Sequence, residues 1–344
     1  MKQLLVLALV MLSLSVSAQK EIFKSGQKFT KSQFENFYSS VTIHDSMVYF
    51  KANDYTLYAY NKNHHQLAWK YYLKYKSNTK VYHAANYLWM NTGETDGMRL
   101  NLDGTHPKTL DFSIDSEPIV KNNMLYATGI FEAGNVFAYD LAADSIAWFR
   151  FIAHGCDTRP YYLEDKIIAN AEGQNWMEMD YAGKLSKDCK EEEGYDFPSG
   201  KDCISEYAFL THDQKTVSVG ELEKLGLDVY GSRDVVTTGS HTIVLEEGRL
   251  VILGSKKKKY FSMPLYELAE EIEDNSYAYS KILRADKETV WLSYDDKLLK
   301  FDIKSKSIKQ VIDLKAWNPH QVVLDGNVVW LISSENGLLY ALSV

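Results

Sequence analysis

The chain is short of positive charge. Its 344 residues carry 38 Lys and Arg against 46 Asp and Glu, a formal net charge of −8. Nucleic-acid recognition needs a basic surface, so no nucleic-acid partner is expected. Long apolar runs are missing beyond residue 18, so no transmembrane segment is expected after that point. No Gly-x-Ser-x-Gly elbow, phosphate loop or dinucleotide fingerprint occurs, which removes the motif-bearing hydrolases and nucleotide binders. Cysteine is scarce: Cys156, Cys189 and Cys203 are the only three, and none adjoins another.

What is present starts with a leader. Lys2 is a short basic region, residues 4–14 are apolar, and Val16-Ser17-Ala18 offers small residues for cleavage before Gln19. That is the pattern of a secretory signal over 1–18, too short to span a bilayer. No Cys follows the cleavage point, so the lipoprotein pattern is absent. The chain is therefore expected to be exported, to the periplasm or beyond, as one domain over 19–344. In an oxidising compartment Cys189 and Cys203, which flank a polar insertion, are a candidate disulfide, with unpaired thiols as the alternative.

The chain as a whole is 45% hydrophobic with 24 tyrosines, a composition that favours packed strands. One phrase recurs in it. Met47-Val48-Tyr49-Phe50, Leu57-Tyr58-Ala59-Tyr60-Asn61 and Ala68-Trp69 return as Met124-Leu125-Tyr126-Ala127, Val136-Phe137-Ala138-Tyr139-Asp140 and Ala147-Trp148. Its first half returns in Val328-Val329-Trp330 and Leu338-Leu339-Tyr340-Ala341-Leu342. Asn61, Asp103, Asp140, Asp180, Pro264, Asp302 and Leu342 are expected to end the third strand of successive units. They are spaced at about forty residues, with one gap of about two periods. A degenerate unit is expected inside that gap, at 203–235, which makes eight units, with seven as the alternative.

Each unit reads as four short strands bounded by Asp, Asn and Gly turns, the pattern of β-propeller blades. The expected fold is thus all-β, an eight-bladed β-propeller. The last unit runs out after its third strand. The spare apolar segment 21–29 is expected to supply the missing one and close the ring. Residues 264–274 read as helical, with Leu265, Leu268, Ala269 and Ile272 on one face.

The segments Ala59-x-Asn61 with Trp69 and Ala138-x-Asp140 with Trp148 resemble the repeat of PQQ-like propellers, Ala-x-Asp-x-x-Thr-Gly-x-x-x-Trp. The Thr-Gly pair is replaced by His64-His65 and Ala143-Asp144. The resemblance implies a ring similar to quinoprotein dehydrogenases and to outer-membrane assembly factors of the BamB type, with the Trp packed between blades. Quinoprotein enzymes of that class are much longer and often carry adjacent cysteines, which this chain lacks, so no cofactor is expected.

Other candidate chemistry is thin. His154 and Cys156 share a strand face beside Asp157, but zinc needs three or four converging ligands, so no metal is expected. His83, His106, Tyr161 and His320 are acid–base candidates that sequence alone does not rank. Lys256-Lys257-Lys258-Lys259 and Glu191-Glu192-Glu193 read as solvated tips. Trp89, Trp176, Trp291 and Trp330 lie in apolar runs and read as core. The expectation is an exported, monomeric, non-catalytic propeller that binds a protein partner through loops on one ring face. A glycan- or small-ligand-binding propeller, extending to a carbohydrate-active enzyme, is the alternative.

Overall fold

The computed structural model describes residues 20–26, 41–52, 54–73, 80–92, 96–131, 133–153, 158–171, 176–188, 209–210, 216–217, 227, 233–239, 241–254, 259–274 and 280–344. The expected signal at 1–18, the Cys156, Cys189 and Cys203 positions, the His154–Asp157 group and most of the lysine run lie outside these residues.

Seven four-stranded antiparallel sheets follow one another along the chain. Blade 1 covers 41–72, blade 2 82–110, blade 3 119–153, blade 4 158–188, blade 5 233–264 and blade 6 280–313. Blade 7 takes Pro319–Asp325, Val328–Ser333 and Leu339–Ser343 from the end of the chain and Lys20–Lys24 from its beginning.

The burial of each strand follows from its place in the ring. In blade 1 the second strand, Met47–Lys51, and the third, Thr56–Asn61, are almost wholly buried. The outermost, Gln66–Tyr72, is mostly exposed. A strand covered on both faces has to be apolar at every position, which is why the middle strands read as continuous apolar runs. The covering comes from neighbouring blades. Leu57 and Leu88 share one cluster across blades 1 and 2, and Phe112 and Phe137 share another across blades 2 and 3. Val136 packs with Ile167 across blades 3 and 4, and Leu245 with Leu292 across 5 and 6. Leu298 packs with Leu331 across 6 and 7, and Phe50 with Trp330 across 1 and 7.

The last of these clusters depends on the expected closure. Lys20–Lys24 pairs antiparallel with Leu339–Ser343, with Lys20 opposite Ser343 and Lys24 opposite Tyr340. Ser25 fastens the end of this pairing: its N–H donates to Leu339 O at 2.9 Å, and Leu339 N–H donates to its Oγ at 3.0 Å. The added strand also copies the shape of the others. In blades 1 and 3 the outer strand carries one extra residue, Ala68 or Ala147, just before Trp69 or Trp148. In blade 7 the extra residue is Ile22, just before Phe23. A bulge at this point bends and twists the outer strand toward the next blade.

Five expectations change. The ring has seven four-stranded blades among the described residues, the alternative count, not eight. Pro264 ends the fourth strand of its blade, Lys259–Pro264, so the long gap before it is shorter than two full units. Within 203–235 the described residues are the ladder of Phe209–Leu210 on Thr216–Val217, Leu227, buried against Val244 and Val251, and then Arg233–Thr238, which opens blade 5. The third strand of blade 2 ends at Asn101, opposite Tyr87, and Asp103 lies in the turn beyond it. In blade 7 Ser343, opposite Val328, takes the place expected for Leu342. The helix expected at 264–274 is a single 3-10 turn, Leu265–Glu267, although Leu265 and Ile272 are buried in the blade 5–6 cluster as the periodicity indicated.

Removing residues 20–26 strips the outer strand from blade 7 and uncovers the blade 1–7 cluster. Thermal unfolding of that variant is expected at least about 10 °C below the full-length protein. An unchanged midpoint would show that the ring does not need its front strand.

Candidate functional site

Two arrangements gather polar side chains: the blade-to-blade turns on the outside of the ring and a cavity at its axis.

The turns come first because the repeat motif lies in them. Asn61, Asp140, Asp180 and Asp302 each end a third strand. Their side chains fold over the turn that follows. Asn61 Oδ1 accepts from the N–H groups of Asn63 and His64, both at 3.0 Å, and Asp140 Oδ1 from those of Ala142 and Ala143 at 2.8 and 3.0 Å. A short carbonyl-bearing side chain at this place substitutes for a backbone acceptor and sets the turn.

The tryptophans read the neighbouring turn. Trp69 of blade 1 donates its indole N–H to Leu102 O of blade 2 at 3.1 Å, and Tyr49 donates to the same oxygen at 3.3 Å. Trp148 and Tyr126 of blade 3 meet Tyr181 O of blade 4 in the same way, at 3.3 and 3.1 Å. The indoles lie flat against Gly104 and Gly183, whose φ angles are +82° and +79°. A Cβ at Gly104 would stand 2.8 Å from the Trp69 ring, and one at Gly183 2.6 Å from Trp148.

Blade 2 has no Trp at this place. Lys108, opposite Arg99 as Trp69 is opposite Ala59, takes its position. It donates to Asp144 O of blade 3 at 2.9 Å and pairs with the Asp144 carboxylate at 2.7 Å, while Arg99 pairs with it at 2.5 Å. Burial raises the Asp144 carboxyl, but hydrogen bonds from Lys108 and Tyr139 and the Arg99 charge outweigh it and hold the group below the usual range. The missing Gly of the resembled motif is thereby explained: Asp144 replaces it where the partner is an ammonium. In blade 7 Phe23 has the Trp place and stacks on His65 of blade 1 at 5.2 Å.

The axial cavity has a volume of about 260 Å³ and is walled by the innermost strands and their lead-ins. Val41 and Ile43 of blade 1 and Val322 and Val323 of blade 7 form an apolar side. Lys80, Glu117 and Lys281 supply charge. Lys80 is exposed and lines the lumen. Burial and the Lys281 ammonium lower its pKa, against the opposite pull of Glu117 and Asp234. Asp234 itself accepts from Ile282 N–H at 2.8 Å. Tyr82 donates to Asp115 O at 3.1 Å, and burial, then Asp115 and Glu117, raise its hydroxyl.

The sequence candidates fall unevenly against this geometry. His83 lines the cavity, stacked on His44 at 3.6 Å, and burial followed by the His44 ring lowers its pKa. Tyr161 lies on the first strand of blade 4 and His320 on that of blade 7. His106 is instead an exposed turn residue beside Asn101 and Thr105. Trp89, Trp291 and Trp330 are buried. Lys80, Glu117, Asp234 and Lys281 were not singled out from sequence. The signal was there: each is a charge within or next to a short apolar first strand. Among the described residues no three His, Cys, Asp or Glu side chains converge on one point, and no helix is long and apolar enough to cross a membrane.

The sequence matches no protein-family pattern and no curated protein. Solved structures do resemble it. The WD40 β-propeller domain of Doa1 is 13% identical, with a TM-score of 0.50 over 95% of this chain and 97% of that one. BamB from Moraxella catarrhalis is 12% identical, TM-score 0.48, over 89% and 82%. The computationally designed Ika8 protein is 12% identical, TM-score 0.47, over 89% and 83%. The likeness to Doa1 establishes the β-propeller fold and nothing of activity.

Two outcomes follow from the site. Gly104→Ala is expected to destabilise by about 2 kcal/mol or more, from a left-handed backbone and a Cβ driven into the indole. Part of that loss should return when Trp69→Leu is added, and chemical denaturation of the single and double variants measures both. Lys51 is a second test. It is 1% exposed, and burial lowers its pKa from 10.5 to about 7. The unfolded chain then binds more protons than the folded one between those values, so stability rises with pH across that window. Relative to Lys51→Met, the wild type is expected to gain about 2 kcal/mol or more from pH 7 to pH 10.5. Parallel stability profiles for the two proteins would contradict the assignment.

Proposed function

We propose that the chain is an exported, non-catalytic, monomeric β-propeller that serves as a protein-binding scaffold. Export rests on the 1–18 leader pattern. The observation that carries the binding reading is on the outside of the ring. Large apolar side chains stand exposed on outermost strands: Tyr72 at 65%, Phe149 at 51%, Leu67 at 45% and Leu185 at 36%. Among the described residues the outer strands of blades 1 and 4 pair on one side only, which leaves a backbone edge toward the rim. An extended partner segment can extend such a sheet and seat its side chains on the apolar residues. This moves the expected contact from the loops of one ring face to the rim formed by blades 1, 3 and 4.

The axial cavity favours the small-ligand half of the alternative, and its size suits a metabolite better than a saccharide chain. Cross-linking of the exported protein in cells, with Leu67→Ser, Tyr72→Ser and Phe149→Ser combined, tests the scaffold. The partner band recovered with wild type should fall about tenfold, equivalent to about 1.4 kcal/mol. An undiminished band from the folded variant, or specific sugar binding on a glycan array, would overturn it.

A further inference from the structure

We propose that the axial cavity binds a zwitterionic apolar α-amino acid, its carboxylate held by Lys80 and Lys281 and its ammonium by Glu117. The inference rests on the small-ligand reading of this cavity and is independent of the rim.

Charge is the first argument. Two ammonium groups face the same lumen, and among the described residues neither has a carboxylate within ion-pair reach. Like charges held together without a partner repel, and an anionic group placed between them relieves that repulsion. Asp234 influences Lys80 but spends one oxygen on the backbone N–H of Ile282. Glu117 is also without an ion-pair partner among the described residues; it lines the same lumen, and its charge acts on Lys80 as well as on Tyr82 and Tyr162. The two lysines and the two carboxylates sum to zero charge. A net anion would leave Glu117 opposed to it; a zwitterion answers both poles at once.

Size and walls are the second argument. At about 260 Å³ the cavity has room for a small metabolite. Val41, Ile43, Val322 and Val323 give the side chain an apolar wall. The Thr42 hydroxyl donates to Val81 O, so it can offer a ligand only its lone pairs.

Calorimetric titration of the full mature chain tests the assignment with three probes: L-leucine, isocaproate, which lacks the amine, and isoamylamine, which lacks the carboxylate. Leucine should bind at least tenfold more tightly than either analogue. Lys281→Met should weaken leucine and isocaproate alike, about tenfold. Glu117→Gln should weaken leucine by a similar factor and leave isocaproate unchanged or tighter. Circular dichroism confirms that both variants are folded. Isocaproate binding as well as leucine would overturn the zwitterion assignment while leaving a small-ligand site. No binding of any probe at millimolar concentration would overturn the site itself.

Discussion

A four-stranded sheet with two apolar faces cannot cover itself, and everything else in this molecule follows from that. The buried side chains of blade 1 pack beyond blade 1 as well as within it. Tyr49, Leu57 and Ala59 face blade 2, while Val48, Phe50, Tyr58 and Tyr60 face blade 7. Each blade is stable only between two others, so the assembly has to close. Closure falls to the pairing of Lys20–Lys24 with Leu339–Ser343. The two ends of the chain, far apart in sequence, form one sheet. A contact of such long sequence separation forms only when most of the ring is already in place.

The seams between blades are built to one plan with different chemistry. At four seams an outer-strand residue, just past the bulge in blades 1, 3 and 7 and Lys108 in blade 2, reaches the turn of the next blade. Where it is Trp69 or Trp148, the turn residue is a glycine and the indole lies on bare backbone. Where it is Lys108, the turn residue is Asp144 and an ion pair forms. Where it is Phe23, the turn residue is His65 and two rings stack. These are matched pairs, so exchanging one partner alone breaks a seam that exchanging both would preserve. Tyrosine is abundant for a related reason. Tyr49, Tyr126, Tyr82 and Tyr162 bury their rings between blades and spend their hydroxyls on backbone carbonyls of another blade or linker.

The repeat was legible because middle strands must be apolar at every position and because Asn61, Asp140, Asp180 and Asp302 do one job in one place. The front strand was legible because blade 7 visibly lacks a partner in Leu339–Ser343. Register was harder to read. In blade 2 the third strand ends at Asn101, and Asp103, two residues on in the turn, looks like its end. At Pro264 a fourth strand carries the same mix of apolar residues as a third. The axial cavity was the least legible part. Its residues come from blades 1, 2, 6 and 7 and from the lead-in to blade 3, and no local pattern brings Lys80 near Lys281. Only the ring does so.

Amide hydrogen exchange on the mature protein addresses the closure directly. If the front strand is part of the ring, the amides of residues 20–25 that donate to Leu339–Ser343, Ser25 N–H among them, exchange with those of Leu339–Ser343 at the slow rate of the blade 1 core strands Met47–Lys51 and Thr56–Asn61. Fast exchange of those donating amides alongside full protection of Leu339–Ser343 would contradict the account.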